Sequence, residues 1–176
     1  MIVLVTGIDD SGRDDVIETV LKSYKNIMPA NTLIKASDFI PDISAERSIS
    51  RLEKIRDNVL AALEKTFVAA LKKGGNIVVS SGITRSVPQG YMPVLTKDMA
   101  DTIKPDLMIF MEVVPQNVQA YMQHEHVDWS HQRFERQLAG LFSLQTGSVM
   151  KVVKIKSGQV KEALKETPDA LRAAME

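Results

Sequence analysis

The stretch Gly7-Ile8-Asp9-Asp10-Ser11-Gly12-Arg13-Asp14, directly behind the apolar run Ile2-Val3-Leu4-Val5-Thr6, constrains the fold more than any other feature of this chain. Its two glycines, set between a β-branched run and a helical pattern, have the frame of a phosphate-binding loop, Gly-x-x-x-x-Gly-Lys-[Ser/Thr]. Such a loop works because successive backbone N–H groups converge on an anion at a helix N-terminus, where the macrodipole also favours negative charge. Gly7 and Gly12 permit the tight path. The side chains depart from the motif. Arg13 stands where a lysine reaches the phosphates, and Asp14 stands where a hydroxyl ligates Mg²⁺. Asp9, Asp10, Asp14 and Asp15 also oppose a single guanidinium. A carboxylate ~7 Å from a phosphate, at an effective dielectric of ~20, costs roughly 2 kcal/mol before screening. The alternative for Asp14 and Asp15 is a simple one: acidic residues favour the first turn of any helix.

Hydrophobic periodicity then organises the chain. Ile2–Thr6 and 107–113 are short continuous apolar runs, as expected of parallel strands buried on both faces. Val16, Ile17, Val20, Leu21 and Tyr24 recur at helical spacing, which predicts a first helix from Arg13 to about Lys25. Segments 31–35, 76–80 and 149–156 read as further strands. Leu52, Ile55, Val59, Leu63, Phe67 and Leu71 predict a long helix from a cap at Asp42 or Ser44 to about Lys73, stopped by Gly74-Gly75. Residues 81–93 read as a Gly/Pro-punctuated loop. Shorter helices are expected at 96–103 and 115–123, another through Gln145, and a last one that Pro168 splits. Strands alternating with helices predict a three-layer α/β/α domain over 1–176, with five parallel strands.

With 176 residues, 44% of them apolar, the chain holds one sizeable core. Lys+Arg and Asp+Glu balance at 22 each, so net charge points to no nucleic-acid or acidic-membrane partner. The absence of cysteine excludes disulfides, thiolate zinc sites and a cysteine nucleophile. The apolar runs are far below the ~20 residues that span a bilayer, and no export leader is visible, so a cytoplasmic location is expected.

Two longer segments carry a specific likeness. Thr84-Arg85-Ser86-Val87-Pro88-Gln89-Gly90-Tyr91-Met92-Pro93 matches T-x-K-T-P-x-G-Y-L-P without a gap, and His131-Gln132 through Arg136 to Thr146-Gly147 matches a helix that follows a lid. On these the chain resembles the archaeal type of adenylate kinase, a P-loop nucleoside-monophosphate kinase. The resemblance implies a P-loop NTPase-like fold, a monophosphate-binding region at about 36–60 and a reduced lid at about 122–130. It also implies MgATP, a nucleotide as the small-molecule partner, and room for a homo-oligomer. The family's Asp-Thr-His after the third strand is here Ser80-Ser81-Gly82, and the lid segment has no arginine.

The candidate residues follow. Gly7, Asp10, Ser11, Gly12, Arg13, Asp14 and Asp15 are expected to hold nucleotide phosphates, with Asp14 as a direct Mg²⁺ ligand. Arg13, Arg85 and Arg136 are the candidate catalytic cations, because stabilisation of a transferring phosphoryl is mostly electrostatic. Arg133 lies one helical turn from Arg136, with a surface pairing to Glu135 as its plainer reading. On the acceptor side stand Arg51, Gly90 and Tyr91, Arg51 having a surface position beside Glu53 as its alternative. Glu112, at a strand's C-terminal end, is placed either to order a metal-bound water or to be satisfied by backbone donors. His124, His126, Asp128 and His131 match no firm metal-ligand spacing, and Trp129 reads as a hydrophobic anchor. Three functions stay open: γ-phosphoryl transfer from MgATP to a nucleoside monophosphate, a catalytically silent relative acting through an oligomer or a protein partner, or a changed phosphotransferase whose shorter lid admits a different acceptor.

Overall fold

The computed structural model describes residues 1–114, 128–156 and 162–174. Five strands, β1 (Ile2–Thr6), β2 (Asn31–Lys35), β3 (Asn76–Ser80), β6 (Leu107–Val114) and β7 (Val149–Lys156), form one sheet in the order β2-β3-β1-β6-β7, every neighbouring pair parallel. A separate antiparallel hairpin joins β4 (Thr84–Val87) to β5 (Gly90–Pro93). The helices are α1 (Arg13–Ser23), α2 (Ile49–Lys73), α3 (Lys97–Ile103), α4 (Trp129–Thr146) and α5 (Ala163–Ala173).

Side chains alternate across the sheet and build a core on each face. Val3, Val5, Val78, Ile109 and Met111 pack against Val16, Ile17 and Val20 of α1 and Ala170 and Leu171 of α5. Leu4, Ile77, Val79, Met108 and Phe110 pack against Leu63 and Phe67 of α2, Ile103 of α3 and Phe142 of α4. Helices therefore cover both faces, and the continuous apolar runs of β1 and β6 are buried as expected. The loop after β1 leaves the sheet's C-terminal edge between β3 and β6, where the strand order switches direction. Open α/β sheets place their ligands there. Among the described residues no helix is long and apolar enough to cross a membrane.

Three expectations are corrected. Helix α2 starts at Ile49 behind the cap Ser48, whose hydroxyl accepts from the Arg51 amide, not at Asp42 or Ser44. Asp42 instead accepts from the Ser44 amide and hydroxyl, a local turn that competes with a helix start. Residues 84–93 are a hairpin rather than a loop. Pro88 and Gln89 form its turn, and Met92 packs with Ile43 and Leu52 in a small core of its own. Pro168 lies inside a continuous α5, beside the fully buried Thr167 and Leu171, so packing carries the helix past the missing N–H. The helix expected at 115–123, the metal candidates His124 and His126, and all but residues 128–130 of the lid lie outside the described residues.

Gly7 and Gly12 answer to different constraints. Gly7 has φ +142°, and an added Cβ would sit 2.6 Å from the Met111 carbonyl oxygen of β6. Gly12 has φ +73° with open space around it. Gly7→Ala, strained by both conformation and contact, is expected to lower stability by about 2–3 kcal/mol. Gly12→Ala should cost about 1 kcal/mol. Urea unfolding of the pair measures the difference, and equal costs would mean that the Met111 contact constrains nothing.

Candidate phosphate-loop site

From β1 the chain turns through Gly7 into a 3₁₀ turn, Asp9–Ser11, whose Ser11 amide bonds the Ile8 carbonyl at 3.1 Å. Gly12, left-handed, then admits α1, with no side-chain cap on the helix. This is the strand–turn–helix path of a phosphate cradle, and the first amides of α1 have no acceptors within the helix itself.

The side chains close on one another. Arg13 is 2% exposed and points inward. Its Nε donates to the Ser80 hydroxyl at 3.1 Å and to Asp14 at 3.0 Å, its Nη1 donates to the Gly7 carbonyl, and its Nη2 lies 3.6 Å from Asp9. Asp14 accepts the Ser80 hydroxyl on Oδ1 at 2.5 Å and the Ser37 hydroxyl on Oδ2 at 2.7 Å. Burial works to raise the Asp14 pKa, but the Arg13 guanidinium and the two hydroxyls outweigh it, and the pKa falls below the ordinary 3.8. Gly82 answers to the hairpin: a Cβ there would lie 2.8 Å from the Thr84 carbonyl oxygen.

This donor set does not fit a Mg²⁺ ion held by Asp14. Both carboxylate oxygens are hydrogen-bonded, one of them to a guanidinium, where the cation would meet like charge. Among the described residues no group of three or more His, Asp or Glu is arranged to hold a metal.

Above the loop, Arg85 of β4 lies 3.4 Å from Asp9. A cavity of about 240 Å³ opens here, lined by Ile8, Asp9, Ser44, Arg85, Asp128 and His131, with Ser86. His131 is 4% exposed; its Nε2 meets the Thr84 hydroxyl at 2.9 Å, and Tyr91 stacks on its ring at 4.5 Å. The Thr84 hydroxyl donates in turn to Glu135, which is fully buried and also accepts the amides of Ile83 and Thr84. Since the hydroxyl's one proton goes to Glu135, the His131 Nε2–H is the donor to it. Gln132, on the same helix, bonds both the amide and the carbonyl of Val113. Helix α4 therefore pins the hairpin and the end of β6 beside the loop.

No protein-family model matches the chain. It is 20% identical over 187 residues to adenylate kinase from Methanoculleus marisnigri, covering 97% of both chains. To adenylate kinase from Methanothermobacter thermautotrophicus it is 22% identical over 190 residues, covering 97% of this chain and 98% of the other. The chain is a distant full-length relative of the archaeal adenylate kinases. The fold is shared with the solved thymidylate kinase from Ehrlichia chaffeensis, at a TM-score of 0.57 and 13% identity over 97% of this chain and 98% of that one.

The fold brings Gly7, Ser11, Gly12, Arg13, Asp14 and Arg85 together at the end of β1. Asp15 is exposed on α1, and the side chain of Asp10 lies outside the described residues. Arg136 is bonded to Glu112 at 2.5 Å in a second hollow shared with Gln132 and Arg133. Glu112 is thus paired with a cation rather than with backbone donors, and β6 continues two residues beyond it. The surface pairing of Arg133 with Glu135 is corrected, because Glu135 faces the hairpin. Arg51, 76% exposed, pairs with Glu46 at 3.3 Å rather than lying against Glu53. Gly90 ends the hairpin turn at φ +132°. Tyr91 lies between His131 and Phe134, and its hydroxyl donates to Asp128 at 3.3 Å.

Sequence reasoning missed Asp9 as a bridge between arginines, Ser37 as a partner of Asp14, and the Thr84–His131–Glu135 network. A signal existed for the last. His131 and Glu135 fall on the helical stripe that continues through Ala139 and Phe142, all of them buried.

Proposed function

We propose that this nucleoside-monophosphate kinase relative binds a nucleotide through the main-chain amides of its phosphate loop and has lost efficient γ-phosphoryl transfer. The carrying observation is the closure of Arg13 on Gly7, Ser80, Asp14 and Asp9. The guanidinium at the motif's phosphate-binding position is neutralised by the chain's own carboxylates, and the carboxylate at its metal-ligand position is occupied. In kinases of this class the protein contributes cations placed over the transferring group; here Arg13 and Arg85 face Asp9 and Arg136 faces Glu112. The acceptor side in this reading is the region about 36–60 with Arg51, together with Gly90 and Tyr91, and the segment about 122–130 is a reduced lid. MgATP, where bound, brings the phosphates that the loop amides hold and the metal that screens them; this chain's residues hold the loop open at Gly12 and fix the Arg13 head.

A second reading, a working phosphotransferase with an altered acceptor, is favoured by the full-length relation to adenylate kinases. A linked assay of ADP formation, run with MgATP and each common nucleoside monophosphate, decides between them. Expected turnover is at least about a thousandfold below the 1–100 s⁻¹ typical of kinases, while millimolar ATP raises Tm by a few degrees. Turnover within that range with any acceptor establishes the second reading. No Tm shift with ATP or any monophosphate removes nucleotide binding altogether.

A further inference from the structure

Asp9 offers one oxygen to each of two arginines: Oδ1 lies 3.6 Å from Nη2 of Arg13, and Oδ2 lies 3.4 Å from Nη1 of Arg85. Two guanidinium groups converging on one oxyanion is how proteins recognise phosphate. The other donors of Arg13 are committed to Gly7, Ser80 and Asp14, so Nη2 is the part of it turned to Asp9, which lines the cavity together with Arg85. In the same 3₁₀ turn the Ser11 hydroxyl is 4% exposed and has no hydrogen-bond partner among the described residues. A buried hydroxyl without a partner is costly, and in a phosphate loop it leaves a donor unspent.

We propose that Asp9 is a built-in stand-in for phosphate, a specificity-determining carboxylate that holds Arg13 and Arg85 together and keeps polyphosphate out of the cavity that Asp9 and Arg85 line. The inference rests on the loop being a nucleotide cradle, as proposed above. It adds that the anion site is complete beneath the carboxylate, and that its ligand class is a di- or triphosphate needing no metal, because two guanidiniums supply the positive charge. Asp9 then competes with ligand for the same two cations, so its loss strengthens binding instead of weakening it.

Calorimetric titration with sodium pyrophosphate in EDTA tests this on the full chain. Asp9→Asn, and Asp9→Ser as a second substitution, should tighten pyrophosphate binding by at least about tenfold. Adding Arg85→Gln to Asp9→Asn should remove the gain. Asp169→Asn deletes a carboxylate of α5 that is 73% exposed and 3.1 Å from Arg172; it should change affinity less than about twofold. An equal gain in Asp169→Asn would reduce the effect to bulk charge and overturn the proposal. No gain in either Asp9 variant, while ATP still raises Tm, overturns the role of Asp9 and leaves the nucleotide reading standing. Failure of every form to bind pyrophosphate or ATP ends both.

Discussion

Replacing Glu135 by alanine is expected to lower the unfolding free energy by about 3–5 kcal/mol. The side chain is fully buried, and its oxygens accept the amides of Ile83 and Thr84 and the hydroxyl of Thr84. Alanine leaves those three donors without acceptors inside the protein, and His131, 3.7 Å away, loses its anionic neighbour. Each abandoned buried donor costs on the order of 1–3 kcal/mol when water cannot reach it. Glu135→Gln separates hydrogen bonding from charge. It keeps the shape and one accepting oxygen but turns an NH₂ toward a donor, so about 1–3 kcal/mol is expected. Urea unfolding followed by the emission of Trp129, the chain's one tryptophan and the first residue of α4, gives both numbers. Losses below about 1 kcal/mol in both variants would mean that the hairpin is held by Met92 and its apolar neighbours instead.

The contrast between this network and the sheet shows which physics a sequence exposes. Strands β1 and β6 were legible because burial on both faces demands an unbroken apolar run, which a single segment displays. The two-faced core was legible for the same reason in α2, where Leu63 and Phe67 recur at helical spacing. The hairpin escaped because its strands are four residues long, carry Pro93, and bury little beyond Met92. Its stability comes from Glu135, about fifty residues away. On α4 the buried stripe includes His131, Gln132 and Glu135, and a reading that assigns polar residues to solvent misses it. The start of α2 was misplaced because Asp42 and Ser44 carry capping side chains but spend them on each other.

The loop itself was half legible. Its frame, Gly7 to Gly12 between a strand and a helix, is a local property and reads directly. The fate of its charges is not local. Arg13 finds Ser80 across 67 positions of sequence and Asp14 finds it across 66. Asp9 meets Arg85 only because the hairpin folds over the loop. The four carboxylates of the segment read as repulsion toward phosphate; in the fold, Asp9 and Asp14 are also the counter-charges of two arginines.

That pairing makes Arg13 the other position of large effect. Arg13→Ala should cost about 3–5 kcal/mol, because it removes a buried guanidinium and leaves Asp14 a largely buried anion supported only by the hydroxyls of Ser80 and Ser37. Asp14→Ala should cost less, about 1–3 kcal/mol, since Arg13 keeps the Gly7 carbonyl, Ser80 and Asp9. The double variant should be more stable than the two losses added together, by about 1–3 kcal/mol, because removing the stranded anion relieves most of what Arg13→Ala inflicts. Acid titration supplies an independent sign. A carboxylate whose pKa is lowered by folding contributes stability that is complete above its unfolded value of 3.8 and is lost as pH falls through the lower folded value. Wild type should therefore lose stability below about pH 4 more steeply than Asp14→Ala. Arg13→Ala should lose less than wild type over the same range, because without the guanidinium the Asp14 pKa is no longer held down. Additive losses within about 0.5 kcal/mol, together with identical acid profiles, would mean that Arg13 and Asp14 are neighbours without being partners, and the closed-loop account of this site would fall with them.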